Sequence, residues 1–240
     1  GRSVIASSTV PTQAQGPRVL VARLTTSGAL DATFGSGGVA QFAISSINDQ
    51  GRSVAIQPDG KIVVTGAAYS SASNVDFAVA RYNSNGSANG SAFQVNTTEL
   101  NDQETPRIAI DSNGVFTIVW QSYGQEANDG AVIARSFNAD GTALTNEVLV
   151  NTDTAGEQYR ATIAIDGSNR RIIGWRNFGG GYYGIDFGAR VMTADGNFLT
   201  GMISQDVATQ YFQGPSVAVA GSTLVIANAE LDGTVAADVR

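Results

Sequence analysis

The chain has 240 residues, of which 42% are hydrophobic and only 15% charged, with 28 Gly against 5 Pro. A net charge of -7 disfavours a nucleic-acid partner, which needs a basic stripe to displace counterions. The absence of Cys and His excludes disulfides, thiolate zinc sites, imidazole metal ligands and every nucleophilic triad that runs through either residue.

Taken in chain order, Arg2 to Val10 reads as the second strand of a four-stranded unit. The segment ending "VARL" at Arg23 reads as its third strand, and a turn follows at Gly28. The next unit is complete. Ser53 to Gln57 is strand one, Pro58-Asp59-Gly60 a turn, and Lys61 to Ala67 strand two. A polar loop through Ser70 to Asn74 leads to strand three at Asp76 to Tyr82, a turn to Gly86, and strand four at Ala92 to Asn96. Two further units repeat this order, and the C-terminal "GTVAADVR" reads as the third strand of a last, partial one.

The repeat is carried by two anchors. Ala55, Ala109, Ala164 and Ala218 stand 54, 55 and 54 residues apart, each preceded by a Gln five or six residues earlier: Gln50, Gln103, Gln158 and Gln213. Arg23, Arg81, Arg135 and Arg190 form the second anchor, 26 residues after the Ala in all three complete units. Four short antiparallel strands at a 54-residue period predict an all-β fold, a β-propeller of four-stranded blades. The expected blades are 1–48 (partial), 49–102, 103–157, 158–212 and 213–240 (partial), within a single domain over 1–240. Three full blades with two partial ones imply a segment of a larger propeller or a five-bladed ring, with further blades or chains contiguous with this one.

Over residues 18–90 the segments "LTTSGALDATFGSGGVAQF", "SVAIQPDGKIVVTGAA" and "DFAVARYNSNG" resemble the bacterial delta-60 repeat. From Phe93 onward, "FQVNTTELNDQETPRIAIDSNGVFTIVWQS" and "VLVNTDTAGEQYRATIAID" resemble a related QVNT-type blade of large secreted or surface proteins of bacteria. The fourth unit keeps the Trp in "RRIIGW" but has lost the Val-Asn-Thr from its last strand. The resemblance implies a propeller at the cell surface or outside the cell. It brings no catalytic residues with it.

The candidate sites are few. The Arg anchors fit a repeated structural bond to turn carbonyls better than an anion cluster. Trp120 and Trp175 close equivalent second strands and fit packing between blades, with a carbohydrate platform as the alternative. The most distinctive loop, "RNFGGGYYGIDFG", sets Tyr182 and Tyr183 to stack on a sugar while Asp186 and Asn177 bind its hydroxyls. Glu126, Asp129 and Asp186 fall in corresponding loops and are the acidic grouping a glycosidase would need. The turns at Asp111 to Gly114, Asn138 to Gly141 and Thr193 to Gly196 are too short for calcium loops, so no cofactor is expected, with calcium the alternative. Asn85, Asn89 and Asn96 begin sequons that matter only in a glycosylating host.

No apolar run approaches the ~18 residues of a membrane span. The opening Gly-Arg-Ser-Val reads as the inside of a domain, so an export signal is expected outside this chain. The leading expectation is a non-enzymatic module for adhesion, assembly or protein interaction. A lectin-like propeller is the second, and a carboxylate-dependent glycoside hydrolase the third.

Overall fold

A computed structural model describes residues 3–8, 18–42, 49–69, 75–99, 101–126, 130–152, 154, 156–178, 185–207, 213–220, 223–229 and 235–239. Among these residues every regular element is a β-strand. The chain divides into two compact units, Gly1–Ile108 and Ala109–Arg240.

The first unit holds two sheets. One is formed by β1 (Ser3–Ser8), β2 (Val19–Leu24) and β3 (Val39–Phe42) in that order. The other runs β4 (Asp49–Ile56), β5 (Ile62–Tyr69), β6 (Val75–Tyr82), β7 (Phe93–Gln94). β8 (Gln103–Ile110) starts in this unit and is the edge of a sheet continued by β9 (Phe116–Tyr123), β10 (Gly130–Phe137) and β11 (Val148–Leu149). The second unit also holds the sheet of β12 (Glu157–Ile165), β13 (Arg171–Phe178), β14 (Ile185–Met192) and β15 (Ile203–Val207). Its last sheet is β16 (Gln213–Ala220), β17 (Thr223–Ala229) and β18 (Val235–Val239). Sequential strands pair antiparallel, as short turns require.

The turns follow from side chains that bond their own backbone. In Asp111 to Gly114 the Asp111 Oδ1 accepts the Asn113 and Val115 N–H groups at 2.9 and 3.0 Å, and Gly114 takes φ of 81°. Between the turns the most buried strands, β9 and β10, carry apolar side chains on both faces. In the first unit Val19, Val21, Phe34, Ile62, Val64 and Tyr82 form one core, with β4 packed on β1. In the second, Val119, Val132, Val150, Ile173, Trp175 and Met192 form another, where β12 packs on β9.

The register divides the sequence anchors into two kinds. Val63 pairs with both Ala55 and Arg81, so those three stand in one row. Ile172 pairs with Ala164 but with Val191, which leaves Arg190 one residue out, opposite Ile173. Arg23 and Arg81 immediately precede the bridging residues Leu24 and Tyr82, whereas Arg135 and Arg190 precede Phe137 and Met192 by two. Side chains alternate along a strand, so the two pairs of arginines face opposite ways. The cause is the connection between strands two and three, which is 70–74 in the second sheet but one residue longer, 124–129 and 179–184, in the third and fourth. The constant 26-residue step therefore does not mark one structural position. The glutamines divide likewise: Gln50 lies opposite Ala67, four residues beyond the partner of Ala55, whereas Gln158 lies opposite Asn177, five beyond the partner of Ala164.

A bulge in the first strand recurs in three sheets, between Gly51 and Ser53, Tyr159 and Thr162, and Gln213 and Ser216. Arg160 sits inside its bulge with φ of 54°. Thr105, 55 residues earlier in β8, has φ of 51°.

Candidate functional site

In an antiparallel sheet the start of strand one, the end of two, the start of three and the end of four share one end. That end carries a network of amide side chains. In the second unit Asn151, just after β11, is the centre of a buried network. Its Oδ1 accepts the Val132 N–H at 2.8 Å, and its Nδ2 donates to Glu126 Oε1 at 2.7 Å and Gln158 Oε1 at 3.2 Å. Gln158 Nε2 in turn donates to Asn177 Oδ1 at 2.8 Å and the Gly156 carbonyl at 2.9 Å. Asn151, Gln158 and Asn177 are all buried.

The network explains why the fourth strands are so short. β11 has two residues, yet its pairing with β10 continues through the Val150 N–H, which donates to the Val132 carbonyl at 2.8 Å. The Asn151 amide then takes the place of the next backbone carbonyl. The first unit repeats the device. Val95 N–H donates to the Phe77 carbonyl at 3.2 Å, Asn96 Oδ1 accepts the Phe77 N–H at 3.4 Å, and Asn96 Nδ2 donates to Asp76 Oδ1 at 2.7 Å. Where the Val-Asn-Thr is lost, β15 is an ordinary five-residue strand paired along its length with β14. The Asn of that motif thus clasps strand four to strand three.

The arginines have separate partners. Arg23 donates from Nε to Asp31 Oδ2 at 3.0 Å and from Nη2 to Thr33 Oγ1 at 2.8 Å, and its Nη1 donates to the Ser84 carbonyl in the next sheet. Its guanidinium lies 4.8 Å from the centre of the buried Phe34 ring. Gly35 N–H donates to the Asn85 carbonyl at 2.8 Å, and a Cβ on Gly86 would stand 2.6 Å from Gly35 N. The "LDATFG" segment is therefore a latch onto the following turn. The Thr33 hydroxyl holds the Asp31 carboxyl below its ordinary range; burial opposes this, and the Thr33 N–H and Arg23 add to it.

Arg135 donates from Nε to the Thr145 carbonyl at 3.2 Å, within its own unit's turn. Arg190 reaches the other way from Arg23, donating to the Val150 carbonyl of the preceding sheet at 2.8 Å, with its guanidinium 3.4 Å from the Phe198 ring centre. Burial lowers the Arg190 pKa. Arg81 makes further contacts of its own beside Val63.

Trp120 and Trp175 are both 0% exposed, so neither ring offers a face to an external ligand in this structure. A Cβ at Gly188 would stand 2.4 Å from the Trp175 indole, which reserves that cross-strand place for glycine. Asn177 is buried within the Asn151 network. The β14 backbone places Asp186 opposite Asn177 on one side and Asp206 on the other. Tyr182, Tyr183 and Asp129 lie outside the described residues. The acidic grouping is thus represented by Glu126, tied to the Asn151 clasp.

Sequence reading named Gln158 only as a repeat anchor, and missed the part played by Asn151 and the buried pair of Arg171 with Asp111. The recurring Val-Asn-Thr and the buried-strand position of the first Arg after the "DGSNR" turn were the available signals. Among the described residues no group of three or more Asp or Glu is placed to hold a metal ion, and no helix is long and apolar enough to cross a membrane.

A β-propeller family described as a domain of unknown function, DUF5122, matches residues 1–34 and 57–91. No curated protein matches the chain. Among solved structures, a protein of unknown function from Dyadobacter fermentans superposes with a TM-score of 0.63 at 12% identity, covering 100% of this chain and 75% of that one. An α-L-arabinofuranosidase of Fusarium graminearum bound to an iminosugar inhibitor gives 0.60 at 11% identity, covering 97% and 75%. The same organism's arabinofuranosidase with arabinobiose gives 0.59 at 12% identity, covering 98% and 76%. At these identities the likeness is one of fold: the chain has a β-propeller fold.

Proposed function

We propose that the chain is a non-enzymatic recognition module, placed at a bacterial cell surface or outside the cell, which presents its loops to a protein or glycan. One observation carries this reading. The Glu126 carboxylate is held at 2.7 Å by Asn151, whose other bonds fasten strand four to strand three. A carboxylate in that role orients the clasp from within the sheet. A general acid must instead reach the leaving group of a bound substrate, within about 3 Å. The net charge of -7 suits a soluble extracellular protein.

A glycan partner is the second reading. It is supported by a fold shared with arabinofuranosidases that bind an iminosugar and arabinobiose, and by the tyrosine-bearing loop at Tyr182 and Tyr183. A glycan array with the intact chain separates the two: retention of a sugar supports the glycan reading, and silence across the array removes it. Turnover of any glycoside would overturn the non-enzymatic reading itself.

A further inference from the structure

The fourth strands β7, β11 and β15 share one register. Phe93, Val148 and Ile203 pair with Val79, Ala134 and Ala189, each three residues before the bridging Tyr82, Phe137 and Met192. Three residues further along the fourth strand stand Asn96, Asn151 and Asp206. The two asparagines clasp their strands, whose backbone pairing is only two residues long. A carboxylate has no N–H, so Asp206 cannot make the bonds that the asparagine Nδ2 donates. β15 instead runs for five residues and forms the edge of its sheet. Sheets blunt such edges by shortening them, by Pro or by a bulge. β7 and β11 are short, whereas Ile203–Val207 holds no Pro and pairs with β14 without a shift.

The direction of the edge groups follows from the repeat. Val150, at the position of Gln205, donates its N–H to the Val132 carbonyl. Gln205 pairs with Phe187, the counterpart of Val132, so its N–H and carbonyl face β14. Alternation then turns the backbone groups of Ser204 and Asp206 outward, to the open edge. Such a row matches another extended strand. The sequence indicates which one. Laid antiparallel on itself about Gln205, β15 sets Ile203 against Val207, Ser204 against Asp206, and Gln205 against its own copy. Each Ser204–Asp206 pair exchanges its outward backbone bonds, and the apolar Ile203–Val207 pairs fall at the closer, non-hydrogen-bonded spacing. Asp206 does not meet Asp206, so no like charges oppose one another. The same rim keeps Leu144, Leu149, Leu199 and Ile203 exposed, and its two segments touch where Thr152 Oγ1 donates to Met202 Sδ at 3.5 Å. Apolar groups gathered at an open edge favour a partner that covers them.

We propose that two copies of the chain associate through β15, edge to edge about a two-fold axis at Gln205. This goes beyond the recognition reading and does not depend on it; the dimer carries two sets of loops in one particle. Sedimentation velocity of the intact chain over about 5 to 500 µM should show a reversible monomer–dimer equilibrium. Ser204→Pro removes an outward N–H and spares the bonds to β14, so it should abolish the dimer with a melting temperature near that of the parent. Gln205→Lys sets like charges together on the axis and serves if Ser204→Pro fails to fold; it should weaken the dimer about fivefold. Ser204→Lys faces each new ammonium with the partner's Asp206 and should tighten the dimer about threefold. A chain that stays monomeric throughout the range overturns the proposal. So does a dimer that survives Ser204→Pro or Gln205→Lys unchanged, or one that Ser204→Lys loosens.

Discussion

Arg171 Nη2 lies 2.7 Å from Asp111 Oδ2, with the two side chains only 1% and 2% exposed, and the contact joins residues sixty apart in successive sheets of the second unit. Arg171 Nε also donates to Thr117 Oγ1 at 3.1 Å, and its Nη1 to the Asn169 carbonyl. Asp111 meanwhile uses its other oxygen to shape its own turn. One buried carboxylate thus sets a turn and fixes the next sheet against it.

Removing one partner leaves a buried charge without its mate. Asp111→Ala is expected to cost about 3–5 kcal/mol, while the double change Asp111→Leu with Arg171→Met should recover most of the loss. Chemical denaturation of the three variants measures this. A single variant within about 1 kcal/mol of the parent would remove the pair from the account.

The Asn clasp makes a local prediction. Asn151→Ala deprives the Val132 N–H, Glu126 and Gln158 of a shared partner, and is expected to cost about 2–3 kcal/mol. Hydrogen exchange at the Val132 and Val150 amides should speed up more than exchange elsewhere in β10. Uniform acceleration across the chain would mean that Asn151 does not hold this strand pair in particular.

Much of this architecture was legible in the sequence and the misreadings have one cause. The turns announce themselves, because Asp111, Asp59 and Asp166 bond their own backbone whatever the tertiary setting. Strand order followed from them. Register did not, since Arg81 and Arg190 share a 26-residue spacing from the Ala anchor yet face opposite ways. One added residue in a loop reverses a side chain without changing the motif that carries it. The fourth strands were expected in place but too long: Ala92 to Asn96 shortens to Phe93–Gln94, because the Asn96 side-chain amide, like that of Asn151, completes the pairing, which no strand periodicity records.

Acid should loosen the latch of the first unit. The folded Asp31 carboxyl titrates below its unfolded value of about 3.9, so its contribution is fully present above that pH and is lost as pH falls through the lower folded pKa. Asp166 behaves alike: burial works against its charged form, but the Arg170 N–H and guanidinium and the Ser168 N–H outweigh it. In Asp31→Asn, stability at neutral pH should fall, and the gap to the parent should narrow as the pH is lowered toward 3. A gap that widens on acidification would contradict this sign.

The carboxylates of the Asp-Gly turns accept hydrogen bonds from their own segments, Asp140 from the Thr142 N–H at 2.9 Å and Asp195 from Asn197 Nδ2 at 2.7 Å. The melting temperature should therefore be the same in EDTA and in millimolar calcium. A rise with calcium would place an ion in the fold and reopen the reading of these turns.

The central claim is that Glu126 braces a strand and the chain recognises without turning over. The most direct measurement is hydrolysis of a broad panel of glycosides, arabinofuranosides included, by the parent chain, by Glu126→Gln and by Asp186→Asn. The account predicts no release of sugar by any of the three above the buffer rate, with Glu126→Gln altered in stability alone. Turnover by the parent that disappears in Glu126→Gln or Asp186→Asn, with the melting temperature unchanged, would contradict it.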